Sequence, residues 1–162
     1  MKCKKFKLPV LLTLFAAAIV ALDQWTKWLT VRHVALGEDS AEILGIIRIT
    51  HTQNTGGAWG MLAGQMWLFV LVMVVFFSVF GIMVYKKWLN KTPELVCLTA
   101  IAGGGIGNMI DRLTNGYVTD MIEFAFFDFP VFNVADCFIT VGAIALAVYV
   151  VFFDREKKPE NP

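Results

Sequence analysis

Four stretches of the chain are apolar for about the length needed to cross a bilayer, and charged residues enter them only near their ends. A hydrocarbon core about 30 Å thick takes roughly 20 residues of helix. The stretches run from about 8 to 28, 66 to 85, 94 to 113 and 133 to 153. Inside lipid each backbone polar group must be satisfied within its own segment, so all four are expected to be helices. Pro130 cannot sit in a helix interior, which starts the fourth span after it.

The segments between these spans, about 29–65 and 114–132, are too long to be turns. Residues Ile43 to His51 read ILGIIRITH, a β-branched run expected to form a short strand or ribbon on the membrane surface. Asn54-Thr55-Gly56-Gly57 and Asn115-Gly116 are turn signals. Ile122 to Phe132 carries enough aromatic residues to lie among lipid headgroups as a loop or helix. The expected fold is an all-α membrane protein: four transmembrane helices with a small extracytoplasmic β-rich segment and an interfacial loop or helix. All 162 residues form one integral membrane domain.

Composition agrees. Hydrophobic residues make up 57% of the chain and charged residues 17%, against about 25% charged in soluble domains. The net charge of +1 gives no field for nucleic acid. Lys2, Lys4, Lys5 and Lys7 precede the first span, Lys86, Lys87 and Lys91 separate the second from the third, and Arg155, Lys157 and Lys158 follow the fourth. The other side has only Lys27, Arg32, Arg48 and Arg112. Positive residues stay inside, so both termini are expected in the cytoplasm. The first span also has the look of a signal peptide, with small residues at Ala16 to Ala18. Asp23-Gln24-Trp25-Thr26-Lys27 follows its apolar run at once, like a structured membrane edge, and an uncleaved helix is expected.

Cys3, Cys97 and Cys137 form no CxxC pair, and His33 and His51 have no second ligand at helical spacing. No metal or other cofactor is expected. Cys97 and Cys137 read as small buried hydrophobes. The informative residues are acids. Asp23, Asp111, Asp120 and Asp136 all fall near the outer ends of spans, where charge is costly and functional by default. Asn108, Asp111 and Arg112 share a helix face, as do Asn133 with Asp136 and Asp23 with Lys27. Arg112 is expected to pair with Asp111 or another acid.

Two adjacent carboxylates share a proton, so one can act as base toward water while the other donates. That hydrolyses an amide without metal or covalent nucleophile. Ser40 and Ser78 lack a GxSxG setting, and no HExxH is present. Plainer roles exist for each residue. Asp136 would cap the fourth helix, Asp120 would be a solvated loop acid, Asp111 with Arg112 a structural pair, and Asn54 a turn former. Gly103 and Gly107 make a GxxxG packing face. These patterns leave open which two acids react. They also admit a small transporter or a non-catalytic binding protein, although the acids lie in one layer and the second span has no charge.

At these residues the chain resembles the bacterial lipoprotein signal peptidase (signal peptidase II) family over nearly its whole length. The matching blocks are DQWTK at 23–27, QNTGGAWG at 53–60, GGGIGNMIDRLTNGYVTDMIEF at 103–124 and FPVFNVADCFITVG at 129–142. The resemblance implies four spans, cytoplasmic termini in a bacterial plasma membrane, and an aspartic endopeptidase active at the outer face. It implies that Asp120 and Asp136 are the catalytic pair. Supporting or substrate-contacting roles then fall on Asp23, Lys27, Asn54, Asn108, Asp111, Arg112 and Asn133. The implied partners are membrane lipids and prolipoproteins whose lipobox Cys carries a diacylglyceryl group, cut just before that Cys. The segment Ile43 to Trp59 is expected to cradle the bond and Phe124 to Phe132 to cover it. Gly57, Trp59, Met121 and Cys137 depart from the residues common in the family, at positions that bear on substrate preference.

Overall fold

The computed structural model describes residues 3–40, 42–89 and 91–153. Four helices are long and apolar enough to cross a membrane: α1 (Cys3–His33), α2 (Met66–Tyr85), α3 (Thr92–Asn115) and α4 (Val134–Phe152). Two strands, β1 (Ile47–Asn54) and β2 (Val118–Phe124), pair antiparallel. Lys2, Arg155, Lys157 and Lys158, four of the residues behind the expected orientation, lie outside the described residues.

α3 is the central helix, packed between α1 and α4. Its glycines allow the close approach. A Cβ at Gly103 would press on Ile19 at 3.1 Å, and one at Gly104 would collide with the backbone of Ala135. The expected small-residue face therefore exists, and it serves two neighbours rather than one. α2 stands apart: none of its residues is buried, and it meets α3 where Met73 lies over Gly105. Spans in lipid gain nothing from burying apolar side chains against one another, so close van der Waals fit of this kind holds them.

The interior is inverted relative to a water-soluble protein. Among the described residues, twelve buried side chains are polar or charged and six are apolar. Val10, Leu71, Val75, Ile144 and Val148 are exposed, which suits a lipid solvent. The buried polar groups concentrate where α1 and α3 end and α4 begins, and the sheet covers that end.

Two expectations need correction, and a third resolves between its alternatives. α1 does not stop near Trp28 but continues to His33. Thr30 O–H donates to the Thr26 carbonyl and the Val34 N–H to the Thr30 carbonyl, which carries the helix past the apolar run. The strand begins at Ile47, not Ile43, because Leu44 (φ 56°) and Gly45 (φ 65°) reverse the chain first. The aromatic segment forms no helix. Its first part is the end of β2, and Phe124, which closes that strand, clusters with Phe126, Phe127, Phe129 and Phe132 of the loop beyond it.

Candidate active site

β1 and β2 pair Thr52 with Asp120 and Asn54 with Val118, with an irregularity between Ile49 and Thr52. Thr50 and His51 fall in that irregularity and are buried; His51 Nδ1 donates to the Val34 carbonyl at 2.9 Å, tying the sheet to the end of α1. Asn54 stands two residues beyond Thr52 and so shares a face with Asp120. Its Nδ2 donates to Asp120 Oδ2 at 2.9 Å. Its Oδ1 accepts the Gly56 N–H at 2.9 Å, so Asn54 builds its turn and holds an acid as well.

Asp136 lies in the first turn of α4. Its N–H donates to Asn133 Oδ1 at 3.0 Å, while its Oδ2 accepts the Asn133 N–H at 3.2 Å, a reciprocal cap. The expected capping role is real, but it occupies only one oxygen. Asp136 Oδ1 accepts Asn108 Nδ2 at 2.7 Å. With its Oδ1 committed to the cap, Asn133 turns its Nδ2 inward, donating to Asp120 Oδ1 at 2.6 Å and Asn108 Oδ1 at 3.1 Å. Both carboxylates thus receive side-chain amide donors from one buried network. Asp120 is only 3% exposed and is no solvated loop acid.

Behind this pair lies a second layer. Lys27 Nζ sits 2.8 Å from Asp23 Oδ2, 3.1 Å from Asp111 Oδ2 and 3.0 Å from Asn108 Oδ1. Asp111 Oδ1 also accepts Gln24 Nε2 at 2.9 Å. The four acids do converge, as their positions along the chain suggest. The expected pairing of Arg112 with an acid fails, because Lys27 on α1 has taken Asp111. The Arg112 guanidinium lies 4.2 Å from the centre of the Phe69 ring and donates to the Gly56 carbonyl at 2.8 Å.

Asp120, Asp136, Asn54, Asn108 and Arg112 line one cavity of about 460 Å³. Its walls are mostly apolar, with Val118, Phe124, Phe129 and Val141 among them. Burial pushes the Asp120 carboxyl from its ordinary 3.8 up to about 6; the Asn54 amide opposes this, Asp136 adds to it, and Asn133 and Lys27 oppose it. One face of the cavity therefore carries an acid that binds its proton more tightly than an ordinary carboxyl, beside a second carboxylate. Trp59 closes another side, 73% exposed, with φ 55° and its ring edge-on to Phe129 at 6.1 Å.

Sequence reasoning passed over two contributors. Gln24 bridges Asp23 and Asp111, and adjacency to Asp23 was its one signal. Phe69, inside a featureless apolar span, supports Arg112. Cys137 and Cys97 are half-buried rather than buried, and Cys137 lines the cavity next to Asp136. Among the described residues no group of His, Cys, Asp and Glu has the arrangement of a metal site.

A family model described as signal peptidase (SPase) II matches residues 15–152. A lipoprotein signal peptidase of Geobacillus thermodenitrificans is 46% identical, over 92% of this chain and 94% of its own. One of Enterococcus faecalis is 39% identical, over 94% of each. A solved structure described as a bacterial membrane enzyme superposes with a TM-score of 0.84 at 29% identity, covering 93% of both chains. A second so described gives 0.78 at 30% identity, covering 89% of this chain and 94% of its own.

Proposed function

The chain belongs to the signal peptidase II family, a multi-pass membrane peptidase that removes signal peptides from prolipoproteins, and from that premise we propose that Asp120 and Asp136 are its catalytic pair. The observation that carries this reading is the amide frame. Asn54 and Asn133 hold Asp120, Asn108 holds Asp136, and both acids open into the same apolar cavity. The remaining carboxylate oxygen surface faces space for a water and a peptide carbonyl.

In this reading the pair carries one proton between its two carboxyl groups. The ionised member takes a proton from water as the oxygen attacks the scissile carbonyl. The protonated member gives its proton to the carbonyl oxygen, so no full negative charge develops in an apolar site. As the resulting diol collapses, the first member gives its proton to the leaving amine, the second takes one from a diol hydroxyl, and the pair returns to its starting state. The burial that raises the proton affinity of Asp120 supports its service as the acid near neutral pH. Asp23 and Asp111 are already committed to Lys27, which supports leaving them out of the chemistry.

The proposed substrate carries a diacylglyceryl group on the Cys that follows the cut. A lipid anchor would hold the bond near the headgroup layer, and its remote binding energy would orient the bond for attack. The sheet and the dyad sit at one end of the bundle, the end with fewer basic residues. This supports an outer-face site and cytoplasmic termini. The turn at Gly56 to Trp59 forms the cradle and the Phe124–Phe132 cluster the cover.

The test is cleavage of a diacylglyceryl-modified prolipoprotein by detergent-purified protein. Wild type, Asp120→Asn and Asp136→Asn run side by side, with unlipidated precursor as control. The expected result is cleavage of the lipidated precursor by wild type only. Near-normal cleavage by either folded variant would remove that aspartate from the chemistry.

A further inference from the structure

Lys27 lies behind the cavity and does not line it, yet it touches three residues that each lead to one of the two cavity acids or to its neighbour in the chain. It is 4% exposed. An ammonium group has three protons and no acceptor, and here three oxygens receive them, from Asp23, Asp111 and Asn108. Each of those partners acts next on a residue beside the pair or on the pair itself. Asp23 Oδ1 accepts the N–H of Ala135 at 2.9 Å, one residue before Asp136. Asp111 Oδ2 accepts the N–H of Thr119 at 3.0 Å, one residue before Asp120. Asn108 has its Oδ1 held by Lys27, which leaves its Nδ2 for Asp136.

The amide of Asn108 decides the matter. Turned by half a rotation, it would aim a carbonyl at Asp136 and its NH₂ at the ammonium and at Asn133 Nδ2. All three contacts would then be repulsive. The lysine, together with Asn133, thus selects which end of the amide the Asp136 carboxylate meets. Gly107 keeps this arrangement open, since a Cβ there would come within 2.5 Å of Asp23 Oδ2.

We propose that Lys27 is the positioning residue of the Asp120–Asp136 pair, setting the backbone beside each aspartate and the donor on Asp136 from one buried charge. The proposal rests on the catalytic reading of that pair. The charged groups facing the pair are Asp23 and Lys27 on α1, and Asp111 and Arg112 on α3. β2 contributes Asp120 and α4 contributes Asp136, while α2 carries no charge. Loss of Lys27 removes a cation from this set and one of the two donors, Lys27 and Asn133, that hold the Asn108 oxygen. Both changes make the pair hold its proton more tightly, so the activity profile moves to higher pH.

The experiment compares wild type with Lys27→Met/Asp23→Asn. This double change keeps the net charge and leaves residue 23 an oxygen for the Ala135 N–H; at Asp120 the Lys27 charge acts and the Asp23 charge does not, so the alkaline shift survives the paired change. Folding is read by thermal unfolding in detergent, and cleavage of the lipidated precursor by kcat and KM across pH 5–9. The expected outcome is a folded protein whose kcat falls about 30-fold or more with little change in KM, the size typical of a displaced acid–base group. The kcat/KM profile moves to higher pH by about half a unit or more. A folded variant with wild-type profile and kcat overturns the proposal, and so does a lower kcat with an unmoved profile, which marks a merely structural lysine. Lys27→Arg runs alongside and decides the matter if the double variant does not fold. It keeps the charge but replaces the compact ammonium with a planar guanidinium, so the Asn108 oxygen loses its partner at that place. A lower kcat with the same alkaline shift supports the proposal, and a wild-type kcat and profile overturn it. Asp120→Asn and Asp136→Asn serve as controls: if they cleave, the catalytic reading itself has failed.

Discussion

Asn133 donates its side-chain N–H to Asp120 at 2.6 Å while its side-chain oxygen caps the helix that carries Asp136. One residue thus holds the strand acid and starts the helix of the other acid, so the two cannot move independently. Asn133→Ala removes both bonds. The lost cap alone costs about 1 kcal/mol. The lost donor should lower kcat by about 100-fold, in line with a misplaced acid–base group. Asn133→Ser restores a cap without reaching Asp120. Thermal unfolding should recover in the serine variant while turnover does not.

The Asp120 proton couples stability to pH. Its folded pKa of about 6 lies above the ordinary 3.8, so the folded state holds the proton more tightly than the unfolded state. The stabilising contribution is complete below the ordinary value and is lost as pH rises through about 6. Asp120→Asn lacks this dependence. From pH 4 to pH 7 wild type should therefore lose stability relative to the variant, by about 3 kcal/mol at most. Thermal unfolding of both proteins in the same detergent across this range measures the difference.

Arg112 stacks on Phe69 and holds the Gly56 carbonyl. Lys at this position keeps the charge but loses the flat face and the fork. Arg112→Lys should loosen the turn that leads to Trp59 and raise KM about tenfold, with a smaller change in kcat. Phe69→Ala should reproduce the same pattern although it removes no charge. Steady-state kinetics on both variants would reject the idea if only the arginine change raised KM.

Gly104 and Gly107 sit one turn apart on α3, against Ala135 and Asp23 respectively. Gly104→Ala should separate α3 from α4 and destabilise the fold by about 1–3 kcal/mol, as overpacking does. Gly107→Ala should instead displace the Asp23 carboxylate and depress turnover more than stability. Comparing unfolding temperature with kcat for the two variants separates the effects.

The spans were legible in the chain because lipid imposes one rule on every residue of a segment, namely apolar length. The acids were legible as a layer because charge is conspicuous at that depth. The partners of each acid were harder. Arg112 follows Asp111 directly in the chain, yet Lys27, 84 positions earlier, takes Asp111. Side chains one apart on a helix point in different directions, so the tertiary neighbour wins. The register of β1 was also hidden, because Leu44 and Gly45 adopt left-handed backbone before the strand begins and no alternation marks the change. Resemblance to a family supplied the proposed identity of the pair. What sets Asp120 and Asp136 apart from Asp23 and Asp111, namely that Lys27 bridges the second two and not the first, became visible only in three dimensions.

The Asp23–Lys27 bridge has a consequence for α1 as a membrane helix. The two residues are one helical turn apart, so their charges neutralise each other within α1 itself and lower the cost of holding either at membrane depth. The same ion pair is the socket into which Asn108, Asp111 and the first turn of α4 are received.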